Sequence, residues 1–332
     1  MRAITLISGG LDSILAARIV KEQGVDVLPL NFKIPFCQRK SEAAAVADVK
    51  TLAKNGLGKD LKTIDLGAGF LELVLEPRYG FGANMNPCID CKILMLRKAK
   101  GLLGPFGAQF IVTGEVLGQR PMSQHRKALE IIEKESGLEG LLLRPLCAGL
   151  LPETLPEKEG WVKRQGLFKF SGRERRPQMD LADKFNIKNY PNASGGCLLT
   201  DINFSRRLKD LMAHRQLSIE NVELLKIGRH FRLSEQAKLI VGRNEGENKE
   251  LEGRASNSDY LFMPDEALAG PTCLGRGEFN QELVRLSAGI ACRYCDISAG
   301  QSARIIYHQK GASPAALAVL PLDEAALKTL RL

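Results

Sequence analysis

Short apolar runs alternate with longer amphipathic stretches along the first part of the chain. AITLI (3–7) is the kind of run carried by a strand buried on both faces. Residues 12–23 then place Leu15, Ile19 and Val20 on one side of a helix. VDVLPLNF (25–32) reads as a second strand. SEAAAVADVKTLAKNG (41–56) reads as a helix, capped by Ser41 and ended by Gly56. LKTIDLG (61–67) is a third strand, CKILMLRKAKGLLG (91–104) a helix and AQFIVTGE (108–115) a fourth strand. Strands alternating with helices predict a parallel sheet with right-handed crossovers. In such sheets ligands gather at the carboxyl ends of the strands. SGGLDS, NFK, GAGF and TGEVLGQ all fall there, and that shared edge is the expected site.

Beyond about residue 205 the pattern changes. Helical SRRLKDLMAHRQ leads into KIGRHFRLS and AKLIVGRN, read as short strands, and SARIIYH reads as another near the end. These predict a smaller α+β domain over 215–332 after an α/β domain over 1–210. A chain of 332 residues suits two such domains. It holds no apolar run of membrane-spanning length, and it opens on a strand and a glycine turn instead of a basic, apolar leader. A cytoplasmic protein is expected.

The net charge of +9 favours polyanionic partners. Lys and Arg crowd KRQGLFKFSGRERRPQ (163–178), so Lys163, Arg164, Arg173, Arg175 and Arg176 are candidate RNA contacts. Taken alone, the stretch is equally a solvated basic loop.

SGGLDS (8–13) carries more chemistry. Two glycines at a strand end let the backbone turn tightly and aim several N–H groups into one concavity. The following helix adds its positive N-terminus, which makes an anion site suited to phosphate. Ser8, Gly9, Gly10, Leu11, Asp12 and Ser13 are the expected phosphate contacts, and Asn31, Lys33, Gly114 and Gln119 stand at the neighbouring strand ends. Asp12 would repel a phosphate unless a Mg²⁺ ion lies between them. The loop lacks the Gly-Lys-Ser/Thr of the Walker type and the third glycine of the dinucleotide fingerprint.

SGGLDS on a first strand resembles the pyrophosphate loop of the adenine nucleotide alpha-hydrolase-like ATP pyrophosphatases. Members of that group adenylate a carbonyl oxygen and let a nucleophile displace AMP. TGEVLGQRPMSQ (113–124), SGRERRPQMDLADKFNI (171–187) and YPNASGGCLLT (190–200) resemble segments of tRNA 4-thiouridine synthases. NPCIDCK (86–92) resembles the Asn-Pro-Cys segment of tRNA 2-thiouridylases. The resemblance covers about residues 1–205. It implies a Rossmann-like parallel-sheet fold, ATP and Mg²⁺ as cofactors with Ser8–Ser13, Asn31, Lys33, Gly114 and Gln119 as the ATP contacts, and tRNA as substrate. The sulfur donor would be sulfide or a cysteine desulfurase. Position 4 of uridine is favoured because the longer matching strings come from the 4-thiouridine synthases. Those enzymes usually carry a THUMP RNA-binding region before the loop and some end in a rhodanese domain; neither is expected in this sequence, so RNA capture would fall to the basic 163–178 stretch or the C-terminal domain. GRHFRLSEQAKLIVGRNEGENKEL (228–251) resembles an RNA-binding module of ribosome quality-control proteins.

Eight cysteines in such a protein read as ligands or reactive thiols before disulfides. Cys88, Cys91 and Cys197 lie in the motifs just matched, and two chemistries compete for them. In one, Cys197 carries a persulfide and Cys88 resolves it as a disulfide, as in the 2-thiouridylases. In the other, all three ligate a 4Fe–4S cluster whose fourth iron stays open for a hydrosulfide; the extra Cys91 favours this. The remaining readings are quiet core thiols or a zinc site, whose set Cys292 and Cys295 could complete if the domains touch. Cys273 could join those two, whereas Cys37 and Cys147 read as buried thiols. Catalytic roles fall to Cys88, Cys197 and Asp12. Glu115, Ser123 and Gln124 could line the nucleotide or the target base, and Asp90 could act as a base. The histidines show no metal or triad spacing, and a homodimer stays open.

Two other functions fit parts of the pattern. One is a pyrophosphatase acting on a small acid, as in amidation or cyano-deazaguanine synthesis. The other is an RNA-binding protein with a vestigial ATP fold.

Overall fold

The structure, a computed structural model, describes residues 1–37, 57, 61–188, 190, 197–298 and 300–332. The helix expected over 41–56 lies outside the described residues. Two compact units divide the chain, Met1–Thr200 and Asp201–Leu332.

In the first unit β1 (Arg2–Leu6) runs into α1 (Leu11–Glu22), followed by β2 (Asp26–Lys33) and β3 (Lys62–Asp65). Next come α2 (Gly67–Leu75), α3 (Cys88–Lys100), β4 (Phe110–Val112), α4 (Arg126–Ser136) and β5 (Leu142–Leu143). Two further helices, α5 (Leu155–Lys158) and α6 (Arg176–Lys184), complete it. The sheet order is β3-β2-β1-β4-β5 and every pairing is parallel. Successive side chains on a strand face opposite sides. Ile4, Ile111 and Leu142 therefore meet Ile93, Leu96 and Ala99 of α3 and Ile132 of α4. Ala3, Phe110, Val112 and Leu143 instead meet Ala16 and Val20 of α1. Both faces are covered, which explains why these strands read as unbroken apolar runs. The expected α/β parallel-sheet domain is present.

Two differences have physical reasons. β5 is only two residues long and carries no pattern of its own. The fourth strand stops at Val112, short of Glu115, because Gly114 leaves the sheet to abut the start of α1.

The second unit begins with α7 (Ile202–Ala213), α8 (Ile219–Leu224), β6 (Arg229–Arg232) and β7 (Lys238–Val241). It continues through α9 (Glu245–Arg254), β8 (Tyr260–Pro264), β9 (Cys273–Arg276) and α10 (Gln281–Arg293). β10 (Ala303–Gln309), β11 (Ala315–Val319) and α11 (Glu324–Leu330) end the chain. Its sheet, β11-β10-β8-β9-β7-β6, is antiparallel throughout. Phe231, Leu239, Val241 and Phe262 pack under α10, and Ile240, Leu261 and Leu274 face Leu224 and Leu251 on the other side.

Candidate functional site

The phosphate loop is shaped by its own backbone. Gly9 has φ +78°, the left-handed region that glycine enters without strain. Gly10 caps α1 with extended backbone, leaving the first N–H groups of the helix directed at the loop. The Ser13 hydroxyl donates to the Gly10 carbonyl (2.7 Å) and accepts from the Ser8 N–H (3.2 Å). The two serine hydroxyls are 3.3 Å apart.

Asp12 is the loop's charged member. Its Oδ2 accepts a hydrogen bond from Gln119 Nε2 at 3.0 Å. Its Oδ1 is buried with no hydrogen-bond partner among the described residues. Burial pushes the carboxyl up, and the Gln119 bond and the Arg175 and Arg120 charges pull it back. An orphaned buried carboxylate oxygen is a hard donor of the kind Mg²⁺ takes, so this residue fits that ion.

The segment after β4 lies against the loop. A Cβ on Gly114 would stand 2.5 Å from the Asp12 carbonyl and the Ser13 nitrogen, so only glycine fits there. Asn31 Nδ2 donates to the Ile7 carbonyl (2.6 Å), while Lys33 is exposed and pairs with Asp65 (3.5 Å). Glu115 does not face the site. It is buried against Arg144 (3.0 Å) and Lys92 (3.3 Å). Burial alone would raise its pKa, but the Lys92 and Arg144 charges outweigh that and hold it at about 2. Asp90 is also structural: its carboxylate accepts the backbone N–H groups of Arg78 and Tyr79 (3.1 and 3.0 Å).

The same segment reaches the thiols. The Cys88 Sγ hydrogen-bonds the buried Ser123 hydroxyl at 3.4 Å. Cys88 opens α3 and Cys91 follows at i+3, so both lie on one face of its first turn. Cys197 is brought to them by the stretch it begins. Met85 N–H bonds the Leu199 carbonyl (3.1 Å), and Asn84 Nδ2 bonds the Thr200 carbonyl (2.7 Å). Burial pushes the Cys91 thiol up, reinforced by the thiols of Cys88, Cys197 and Cys37 and opposed by Lys92. Burial, with Cys37 and Cys88 adding to it, pushes Cys197 up to about 12 against the opposing Leu199 N–H and Arg120 charge.

Cys37 is the residue that sequence reasoning missed. Read as a core thiol, it is half-buried and pairs across an antiparallel bridge with Cys197. Its only sequence signal is its place just beyond the end of β2, on the shared strand-end edge. Cys147 is a core thiol as expected, buried and bonded to the Glu115 carbonyl. In the second unit Cys273 and Cys292 are buried, and Cys292 and Cys295 donate to the carbonyls of Val319 and Ala291. No group of three or more His, Cys, Asp or Glu among the described residues is gathered as a metal site.

The basic stretch divides. Arg164 is spent on structure, bonded to Glu157 (2.5 Å) and to the carbonyls of Ala148 and Leu151. Lys163, Arg173 and Arg176 are exposed. Arg175 is half-buried at the start of α6, and its charge acts on Asp12. Among the described residues no helix is long and apolar enough to cross a membrane.

Residues 1–153 match the family model described as thiamine biosynthesis protein (ThiI), and residues 228–331 match the NFACT protein RNA binding domain. A probable tRNA sulfurtransferase of Thermococcus kodakarensis is 29% identical over 170 residues, which cover 51% of this chain and 42% of that protein. The tRNA-specific 2-thiouridylase MnmA of Nitratidesulfovibrio vulgaris is 32% identical over 129 residues, 36% of each chain. Both matches span less than half of the curated relative. A 4-thiouridine synthetase solved with RNA and bound ATP aligns with a TM-score of 0.38 at 20% identity, covering 68% of this chain and 52% of that one. The chain thus joins a region of ThiI pattern to a region of NFACT RNA-binding pattern, and through the first it is similar to tRNA sulfurtransferases and tRNA 2-thiouridylases.

Proposed function

We propose that this chain is an ATP-dependent sulfurtransferase that replaces a uridine carbonyl oxygen of tRNA with sulfur, at position 4. One observation carries the reading: a single segment, 114–124, touches the phosphate loop through Gly114 and Gln119 and the thiols through Ser123. A nucleotide activated at Ser8–Ser13 would therefore lie beside a sulfur-bearing group. The first unit is assigned the chemistry. The second unit is assigned RNA capture, and the exposed Lys163, Arg173 and Arg176 of the first unit are further candidate contacts.

In this reading the loop N–H groups, Ser8 and Ser13 hold the phosphates, and Asp12 holds Mg²⁺ through its orphaned oxygen. Arg120 and Arg175, whose charges already act on Asp12, offset the phosphate charge there. The uridine oxygen attacks the α-phosphate, pyrophosphate leaves, and sulfur displaces AMP from the ring carbon. Cys88, Cys91 and Cys197 are thiols from two segments, the ligand type of iron–sulfur clusters, though the described residues do not gather them as a metal site. When bound, such a cluster supplies an iron on which hydrosulfide can be carried. A second reading, with sulfur carried as a persulfide on Cys197, is supported by the thiol of Cys37 across from it.

The test is incubation with ATP, Mg²⁺, sulfide and unmodified tRNA, followed by nucleoside digestion and mass spectrometry. AMP formation that depends on tRNA, with 4-thiouridine in the digest, is the expected outcome. AMP that forms equally without tRNA overturns the reading, and 2-thiouridine in its place moves the target to the other carbonyl. Cys197→Ala should keep the AMP and lose the thionucleoside. Iron and acid-labile sulfide counts on anaerobically purified protein separate the two carriers.

A further inference from the structure

Cys37 and Cys197 face each other in an antiparallel bridge. The Leu198 N–H donates to the Phe36 carbonyl at 2.9 Å, one residue away on each strand. That bond flanks the cysteines, so they form the closer of the two antiparallel pair types, with Cα atoms about 4.5 Å apart and side chains on one face. This separation lies inside the disulfide range of about 4.4 to 6.8 Å. Both residues are half-buried, and each is coupled electrostatically to Cys91. Cys88 also acts electrostatically on Cys197, but its Sγ hydrogen-bonds the Ser123 hydroxyl and it is not the residue bridged to Cys197 through the backbone.

We propose that Cys37, and not Cys88, is the thiol that resolves sulfur carried on Cys197. The proposal rests on the sulfur-transfer reading in its persulfide form. The terminal sulfur of the Cys197 persulfide bonds to the adenylated ring carbon, and the carbon–oxygen bond breaks with AMP taking the electron pair. The tRNA is then joined to Cys197 through a mixed disulfide. Cys37 attacks the Cys197 Sγ, and the bond between that atom and the transferred sulfur breaks. The transferred sulfur leaves with the pair as a thiocarbonyl, and the Cys37 proton ends on the ring nitrogen beside it. Two thiols are oxidised to one disulfide while the sulfane sulfur is reduced to the sulfide level. A dithiol reductant resets the pair, and a persulfide donor reloads Cys197.

The experiment is a single turnover of the full chain with a persulfide donor, ATP, Mg²⁺ and tRNA, without reductant. It is followed by alkylation and non-reducing peptide mapping. A disulfide joining the Cys37 and Cys197 peptides is expected in the wild type. Cys37→Ser should make one AMP per site and hold the tRNA as a covalent adduct that dithiothreitol releases. A Cys88–Cys197 disulfide, or release of thiolated tRNA by Cys37→Ser at the wild-type rate, overturns the role of Cys37. Because the map uses the wild type, it decides even if the variant does not fold. Absence of tRNA-dependent AMP overturns the sulfur-transfer reading itself and is seen in the same samples.

Discussion

The phosphate loop is six consecutive residues, Ser8–Ser13, whereas the thiols Cys37, Cys88, Cys91 and Cys197 come from three separate segments. The loop is held mainly by backbone geometry: a left-handed Gly9, a glycine cap and a serine pair. The thiols are held by contacts between distant pieces, through Ser123, Met85, Asn84 and the bridge at Cys37. A site made of backbone is written compactly in sequence, but one assembled across the fold is not. The loop should therefore fail where its backbone is crowded, at its own glycines or at the Gly114 packed against it, and the thiol site where one of the contacts that gather it is cut.

The sharpest way to break this contrast is Gly114→Ala, a single methyl placed where the Cβ meets the Asp12 backbone at 2.5 Å. Overpacking against backbone should slow tRNA-dependent AMP formation by about a hundredfold, the rate equivalent of ~3 kcal/mol. AMP formation at the wild-type rate would show that the loop does not need this close approach.

Glu115→Gln comes next, and it acts on the frame that joins the two sites. The carboxylate is held at about 2, against a usual 4.5. Its stabilisation is full above the unfolded value and is lost as pH falls through the folded one. Removing it should cost about 3 kcal/mol near neutral pH. The gap in melting temperature between wild type and variant should close as pH falls from about 4.5 toward 2. A gap independent of pH would mean that packing, not charge, is what Glu115 supplies.

The smallest effects belong to the basic stretch. Arg176→Ala should weaken tRNA binding a few-fold and lower the slope of log affinity against log salt by about 0.9. Arg164→Ala should instead lower the melting temperature and leave the salt slope alone, because its guanidinium is committed to Glu157 and two carbonyls. Equal salt effects from the two would erase the distinction drawn between them.

The parallel sheet was legible because AITLI and its neighbours are buried on both faces, and the phosphate loop because its tight turn at a strand end demands the left-handed glycine at position 9. Cys88 and Cys91 were legible from spacing. Cys37 was not, since nothing local distinguishes a thiol in the core from one facing Cys197 across a bridge. The same limit applied to Glu115, which as a sequence letter is a polar residue at a strand end and in the fold is an internal counter-ion. In the second unit β8, β9 and β11 escaped notice because antiparallel strands of four or five residues carry too few alternations to stand out.

The ion network around Glu115 also restricts how this chain can change over generations. Arg144 follows β5, Lys92 sits beside Cys91 on α3, and Glu115 follows the glycine that abuts the phosphate loop. Losing Arg144 would leave the buried Glu115 with Lys92 alone, and losing Glu115 would leave the buried Arg144 with Glu133 alone; either unbalances charge inside the protein, which costs more than the pairing contributes. A lineage can reach an uncharged version only through coordinated replacements, each intermediate being less fit than either end. The spacing between the nucleotide loop and the first turn of the cysteine helix is thus locked in by the mutational path as much as by the fold.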